Sequence, residues 1–314
     1  MDHVVALAGG VGAARFLRGL VRVVEPARLT VVVNTGDDLR LHGLHISPDL
    51  DTIVYTLGGG IDPVRQWGRA GDTTTVADEL RDRYGRPDWF TLGDRDLATH
   101  LVRSEILADG GTLSQASAVI AEAWGVRCRL LPMTDDPVET RIATRDGRTL
   151  GFQHWWVGER AEPEVARVWL EGAERARPAP GVLEAIADAD AVLLCPSNPV
   201  VSIGTILAVP GLRAAVAERV VVGVSPVVGG RVVRGMADKL LPAVGAEVSA
   251  AGVAALYADL LDGWVIDERD RDRRDEIAAR GPVVRVTDTV MRDVEVSTRL
   301  ARVVVDLAAE LGSR

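Results

Sequence analysis

The sequence predicts an α/β protein: a Rossmann-like, mostly parallel sheet with helices on both faces, plus an inserted, partly antiparallel region. Three observations carry this. The apolar run His3 to Ala8 passes through Gly9-Gly10-Val11-Gly12 into a segment, Val11 to Val24, whose apolar positions repeat with a helical period. Three separate strand ends carry small polar or glycine residues, among them Pro196-Ser197-Asn198-Pro199 after Ala191 to Cys195 and Ser225-Pro226 after Arg219 to Val224. Between the two halves, Val138 to Thr144, Thr149 to Val157 and Val165 to Glu171 alternate with period two around the turn Arg145-Asp146-Gly147.

The elements follow in order. His3 to Ala8 is the first strand, and the glycine turn after it lets backbone approach a ligand, with the N–H groups of the helix start pointing at a phosphate. Leu29 to Asn34 is the second strand, ending in the turn Asn34-Thr35-Gly36-Asp37-Asp38. Ser47 caps a helix with Pro48 at its first position, and Leu50, Ile53, Val54 and Leu57 form its buried face. The run Gly58-Gly59-Gly60 ends that helix and permits a mobile connection to a polar lid segment, with a helix near Thr75 to Arg83. Trp67 in that segment either covers a ligand or, the simpler reading, fills a satellite core. A helix from about Asp94 places Asp96, His100 and Arg103 on one face, as a site or as a solvated face with internal ion pairs. Further helix (Leu113 to Trp124) and strand (Arg127 to Met133) precede the inserted region, and the α/β rhythm then returns, closing on a helix from Ser297 to Leu311. This is one domain over 1–314, with a nucleotide-binding core of about 1–58 and 181–314 and a lid and insertion of about 59–180.

Length and composition narrow the function. The chain of 314 residues carries a net charge of −9, so no sequence-wide basic field draws nucleic acid or an anionic membrane. All 36 basic residues but Lys239 are arginine. Cys128 and Cys195 lie in apolar runs, which suits buried reduced thiols and a cytoplasmic location rather than a disulfide scaffold. No secretory signal and no run of about 18 apolar residues is visible.

The glycine turn departs from two known patterns. Arg15 stands where a dinucleotide fold wants a third Gly or Ala, and Asn34 stands where an NAD enzyme carries an acid. A P-loop is absent. Phosphates would therefore be held by Gly9, Gly10 and Gly12, by arginines and by a metal. Asp37 and Asp51, 14 positions apart, are the expected carboxylates of a shared Mg²⁺ site, since Mg²⁺ takes one or two carboxylates and leaves the rest of its shell to water and phosphate. Asp49 is read instead as an acid offsetting the helix dipole.

Taken together, GGVGAAR (Gly9 to Arg15), NTGDD (Asn34 to Asp38), SPDLDT (Ser47 to Thr52), LGDRDLATH (Leu92 to His100), LPMTDDPVET (Leu131 to Thr140), PSNPVVSIG (Pro196 to Gly204) and SPVVGG (Ser225 to Gly230) resemble the 2-phospho-lactate transferase family, called CofD in archaea and FbiA in actinobacteria. Thr35-Gly36-Asp37 and the run Gly58 to Pro63 resemble the actinobacterial branch. The resemblance implies a cytoplasmic, dimeric, Mg²⁺-dependent transferase of coenzyme F(420) assembly. Its donor is a guanosine diphosphate ester of a three-carbon acid, phosphoenolpyruvate in this branch and phospholactate in the other; its acceptor is the ribityl hydroxyl of the deazaflavin FO, and GMP leaves. Mapped onto this chain, Asp37, Asp51 and Arg95 serve catalysis. Gly9, Gly10, Gly12, Arg15, Asn34, Ser197, Asn198 and Ser225 hold the donor, and Asp51 and Thr91 touch the acceptor. The rival expectation is a nucleotide-sugar-binding regulator of the same superfamily, which needs neither an FO pocket nor paired aspartates.

Overall fold

The computed structural model describes residues 1–313. Strand β1 (Val4–Ala8) leads into helix α1 (Gly10–Leu20) and back to β2 (Leu29–Val33), the expected opening unit. A small hairpin, β3 (Leu39–Leu41) and β4 (Leu44–Ile46), precedes α2 (Pro48–Leu57). Helices α3 (Thr75–Tyr84), α4 (Asp96–Ala108) and α5 (Leu113–Ala123) follow, then β5 (Arg129–Pro132). The inserted sheet comprises β6 (Glu139–Thr144), β7 (Thr149–Gly151) and β8 (Val165–Glu171). The second half runs α6 (Val182–Ala187), β9 (Ala191–Leu194), α7 (Ile203–Ala208), α8 (Leu212–Ala217), β10 (Val220–Val224), the hairpin β11 (Val227–Val228) and β12 (Arg231–Val232), and α9 (Ala237–Leu240). It closes with α10 (Ala250–Leu256), β13 (Gly263–Asp267), α11 (Arg274–Ala278), β14 (Val283–Thr287) and α12 (Val294–Gly312).

Seven strands form one sheet in the order β14-β13-β10-β9-β1-β2-β5, and every pairing is parallel. A parallel sheet is covered on both faces, which is why its strands read as continuous apolar runs. Helices α1, α2, α5 and α12 cover one face, and α6, α7, α8, α10 and α11 the other. From β1 the chain winds outward through β2 to β5, then returns through β9 to β14 on the opposite side. The crevice between β1 and β9 is the switch point where open α/β sheets receive ligands.

The structure departs from the sequence expectations at several points. Strand β5 lies within 59–180 yet belongs to the main sheet, as the edge partner of β2. The strand expected over Thr149 to Val157 stops at Gly151, because a π-type turn over His154–Gly158 reverses the chain. That turn sends Trp155 into the insertion's own core, beside Ile142, Phe152 and Val165, and leaves Trp156 partly exposed.

The Gly58 to Gly60 run is not a free joint. A side chain on Gly60 would run into the Trp124 indole, and the Arg69 guanidinium stacks 4.8 Å from the centroid of the same ring. Further along, two acids cap each other's helices: Asp72 accepts the N–H groups of Arg95 and Asp96 at the start of α4 (2.7 and 3.0 Å), and Asp94 accepts those of Thr75 and Val76 at the start of α3 (3.0 and 2.9 Å). This exchange delays α4 to Asp96. Among the described residues no helix is long and apolar enough to cross a membrane.

Candidate active site

The first cavity opens at the switch point. Its floor is the turn from β1 to α1, its far wall the loop from Pro196 to Ser202 after β9, and its roof the stretch from Val232 to Ala237. Only glycine fits the floor. Gly10 has φ +68°, and a Cβ on Gly12 would run into the Pro196 carbonyl, so the two strand ends approach without side chains between them. Gly9 N–H donates to Ser197 Oγ at 3.2 Å, tying floor to wall. The Asn198 side-chain oxygen accepts the N–H groups of Val200 and Val201 (2.9 and 3.3 Å), which shapes the loop. Ser225, expected at the donor, lines the cavity, but its hydroxyl is turned back onto the Val227 carbonyl at 2.8 Å.

Asn34 does not line either cavity. Its amide Nδ2 donates to Asp49 Oδ2 at 2.9 Å, and its Oδ1 accepts from Gly36 N–H (2.9 Å) and Thr205 Oγ1 (2.7 Å). An acid here could not donate to Asp49, so the departure from the NAD pattern has a local cause: Asn34 orients a carboxylate rather than a ribose.

The expected pairing of Asp37 with Asp51 is not what the structure brings together. Asp37 and Asp49 both line the first cavity, and Asp51 lines neither. Burial and the neighbouring Asp49 carboxylate hold the pKa of Asp37 well above the usual carboxylate range. Burial likewise pushes Asp49 up to about 7, against the opposing pull of Asn34 and the Gly10 N–H. Two adjacent buried acids without a cation between them resist ionising together. Asp37 Oδ1, moreover, completes no hydrogen bond.

Asp51 faces the other way, onto α4. Both of its oxygens are taken by Arg103, which is 1% exposed, and Arg103 Nη1 also donates to the His45 carbonyl at 3.4 Å. His100 stands 3.6 Å from Asp51 and 3.2 Å from Asp96, whose other oxygen accepts the Tyr55 hydroxyl. The Asp96, His100, Arg103 face is thus neither solvated nor in a cavity; it is a buried charge network that locks α4 to α2. Asp49, read from the sequence as an acid offsetting the helix dipole, thus faces the first cavity, and Asp51, read as a cation ligand, faces Arg103. Successive helix residues turn by about 100°, so two positions carry a side chain most of the way round to the opposite face.

Two guanidiniums stand at the first cavity, those of Arg15 and Arg234. Burial, then Arg234 and Arg18, lower the pKa of Arg15, so its charged surroundings are repulsive. Arg15 Nε donates to Gln66 Oε1 at 3.2 Å and Arg234 Nη2 to the Arg65 carbonyl, which draws the lid segment to the cavity mouth. Arg95, expected as an anion clamp, is exposed and lines neither cavity. Arg234, exposed as well, lines the first cavity where Arg95 does not, and its isolated place in the sequence offered no pattern to find it by.

A second, broader cavity of about 970 Å³ lies between the turn Thr35 to Arg40 and the inserted sheet. Its walls include Trp89, Phe152 and His154, and the Trp89 and His154 rings lie 5.0 Å apart. Asp37 and Phe152 line both cavities. Thr91, expected at the acceptor, is exposed and lines neither, whereas Trp89 two residues earlier does. Among the described residues no group of three or more His, Cys, Asp or Glu side chains converges as a metal cage.

A glycine-floored crevice at the switch point of a parallel sheet, flanked by arginines and two buried acids and meeting a second, wider cavity, is the arrangement of a Rossmann-like α/β protein that takes a ligand at its strand ends. The chain belongs to the family described as 2-phospho-L-lactate transferase CofD, which matches residues 4–304. It is 51% identical over 324 residues to a protein of Thermobifida fusca and 50% identical over 316 residues to one of Kitasatospora aureofaciens, both named phosphoenolpyruvate transferase. The alignments cover 99% of each chain in the first case and 98% of each in the second. A similar protein of Mycolicibacterium smegmatis bears the same name at 43% identity, with 97% of this chain and 98% of that one covered. Among solved structures, protein BH3568 of Bacillus halodurans shares the fold with a TM-score of 0.63 at 17% identity, over 97% of this chain and 99% of that one.

Proposed function

We propose that this protein transfers the phosphoenolpyruvyl group from a guanosine diphosphate-linked donor to the ribityl hydroxyl of the deazaflavin FO, releasing GMP. The observation that carries the reading is the meeting of two unlike cavities at Asp37 and Phe152. One is narrow, glycine-floored and flanked by the cations Arg15 and Arg234; the other is wide and lined largely by charged side chains, with the rings of Trp89, Phe152 and His154 on part of its wall. A diphosphate suits the first, and a flat tricyclic ring suits the second. The names of the relatives favour phosphoenolpyruvate over phospholactate as the acid carried.

Mg²⁺ fits the paired acids. Asp37 and Asp49 are buried side by side and reluctant to ionise together, and Asp37 Oδ1 has no partner. Two carboxylates leave room for water and phosphate oxygens in the shell of a hard cation. When bound, the ion would offset charge on the diphosphate and the departing nucleotide.

The chain's own residues position the partners. Gly9, Gly10 and Gly12 admit the donor against backbone, Ser197 and Asn198 shape the wall beside it, and Arg15 and Arg234 neutralise its charge. The acceptor ring lies against Trp89, His154 and Phe152, with its hydroxyl directed at the junction. The hydroxyl oxygen bonds to the phosphorus that carries the enolpyruvyl ester and gives up its proton to water; the bond from that phosphorus to the bridging oxygen breaks, and GMP leaves with the bridging oxygen and its electron pair. In-line attack of this kind relies on alignment and charge neutralisation rather than on a covalent intermediate.

Incubation with FO, Mg²⁺ and either synthetic donor, followed by mass measurement of the product, tests the reading. The enolpyruvyl adduct of FO is expected from the enolpyruvyl donor. No adduct from either donor, with no saturable retention of FO, would overturn it in favour of a nucleotide-binding regulator.

A further inference from the structure

The first cavity changes character along its length. Around the turn from β1 to α1 it is lined by glycines, two acids and Arg15, whereas toward β10 and β13 it is lined by Ser225, Pro226, Val228, Thr289 and Met291, none of them charged. Strand β13 lies three strand spacings from β1 in the sheet, about 14 Å at about 4.8 Å each. That span suits a nucleoside diphosphate whose phosphates rest on the glycine turn and whose base reaches the uncharged end. Pro226, Val228 and Met291 offer a flat base apolar contact there, so its selection falls to the two hydroxyls.

Both hydroxyls have spent their protons. Asp267, the last residue of β13 and 3% exposed, accepts the N–H of Arg269 at Oδ1 (3.1 Å), and at Oδ2 it accepts both the N–H and the Oγ1 hydroxyl of Thr289 (2.9 and 3.0 Å). The Ser225 hydroxyl donates to the Val227 carbonyl at 2.8 Å and accepts the Val227 N–H at 3.2 Å. A hydroxyl has one proton and two lone pairs, so Thr289 keeps only acceptor capacity at Oγ1, and Ser225 Oγ keeps a single lone pair. Turning the Thr289 hydroxyl round would take a hydrogen bond from a buried carboxylate, a larger loss than that of a bond between neutral groups. Its polarity is therefore fixed from behind.

Guanine and adenine differ in the matching respect. At N1 guanine carries a hydrogen, and adenine carries a lone pair. We infer that Thr289 selects the base of the donor: locked as an acceptor by Asp267, its Oγ1 receives the N1–H of guanine and meets the N1 lone pair of adenine with a lone pair of its own. The inference rests on reading the first cavity as the seat of the donor's nucleotide. Discrimination then comes from a repulsive contact as well as an attractive one. Asp267 lines neither cavity and acts through Thr289, as a positioning residue.

The test is calorimetric titration of the full-length protein with GDP, ADP and N1-methyl-GDP, with Mg²⁺ and without FO, repeated on Thr289→Val and Thr289→Ser. The wild type and Thr289→Ser are expected to bind GDP at least about tenfold more tightly than either other nucleotide. Thr289→Val, which keeps the shape and removes the hydroxyl, is expected to lose about tenfold for GDP and nothing for ADP, so that its preference largely disappears. A wild type that binds all three nucleotides alike overturns the inference without any variant, and leaves the cavity as a nucleotide seat. A Thr289→Val protein that keeps the native preference overturns it too. So does one that weakens GDP and ADP equally, which would assign Thr289 to shape or stability. Failure of the wild type to bind any of the three overturns both the inference and the reading beneath it.

Discussion

Arg103 grips both carboxylate oxygens of Asp51, two residues along the same helix from the acid that faces the cavity. Asp51→Asn or Arg103→Met alone strands a buried charge, a loss of about 3–5 kcal/mol. The double variant is expected to recover much of this, because neither charge is then left unmatched. Urea unfolding of the four proteins checks it. A reacting Asp51 would instead show itself as lost turnover at unchanged stability.

Asp49→Asn is expected to remain folded and to lose at least about a hundredfold in turnover, since one of two acids beside the diphosphate would no longer carry charge. Divalent-ion affinity should also fall as pH drops below about 7, where Asp49 holds its proton and competes with the ion. Titrations with Mn²⁺ at pH 6 and pH 8 (arbitrary points about one unit either side) compare the two states. Equal affinity at both would remove Asp49 from the site.

The same acids shape stability without metal. Their pKa values in the folded chain lie above the unfolded value of 3.8, so the folded state keeps protons that the unfolded state releases. The contribution is complete below the unfolded value and is lost as pH rises through the folded one, so the stability they supply declines between about pH 4 and 7. In EDTA, the urea midpoint of the wild type is expected to fall relative to that of Asp49→Asn across this window. A difference that stays constant with pH would contradict the assignment.

Arg15 and Arg234 hold Gln66 and the Arg65 carbonyl across the mouth of the donor cavity. Removing either guanidinium costs an ion-assisted contact, about tenfold or more in donor KM. Gln66→Ala removes the competing tie to Arg15 together with the bond that Gln66 Nε2 donates to the Pro63 carbonyl within the lid segment, and Gln66 itself sits at φ +64°, a strained position for a side chain. Its donor KM should stay level or fall. Steady-state kinetics on the three variants separates the roles, and a rise in KM for Gln66→Ala equal to that of Arg15→Ala would make the glutamine a donor contact.

Much of the scaffold was legible in sequence, because fully buried parallel strands have to be apolar throughout and their glycine turns have to be bare. The run Val4 to Ala8 and the turn Gly9 to Gly12 left little choice, and so did the amphipathic α1 and α12. The acids were harder. A helical wheel separates Asp49 from Asp51 but does not say which side holds the ligand and which holds α4; that depends on where Arg103 packs, 52 residues later. Arg234 had no motif around it, and Arg95 looked like a clamp only because the cross-capping by Asp72 and Asp94 leaves no mark in local spacing.

That exchange of caps has a consequence for how this part of the molecule comes apart. Neither α3 nor α4 keeps its first turn without an acid supplied from beside the other, so fraying of one exposes the amides of both. The stretch from Asp72 to Asp96 should therefore open as one unit, its amide protons exchanging with solvent at a shared rate, and that unit ends at the helix whose inner face clasps Asp51.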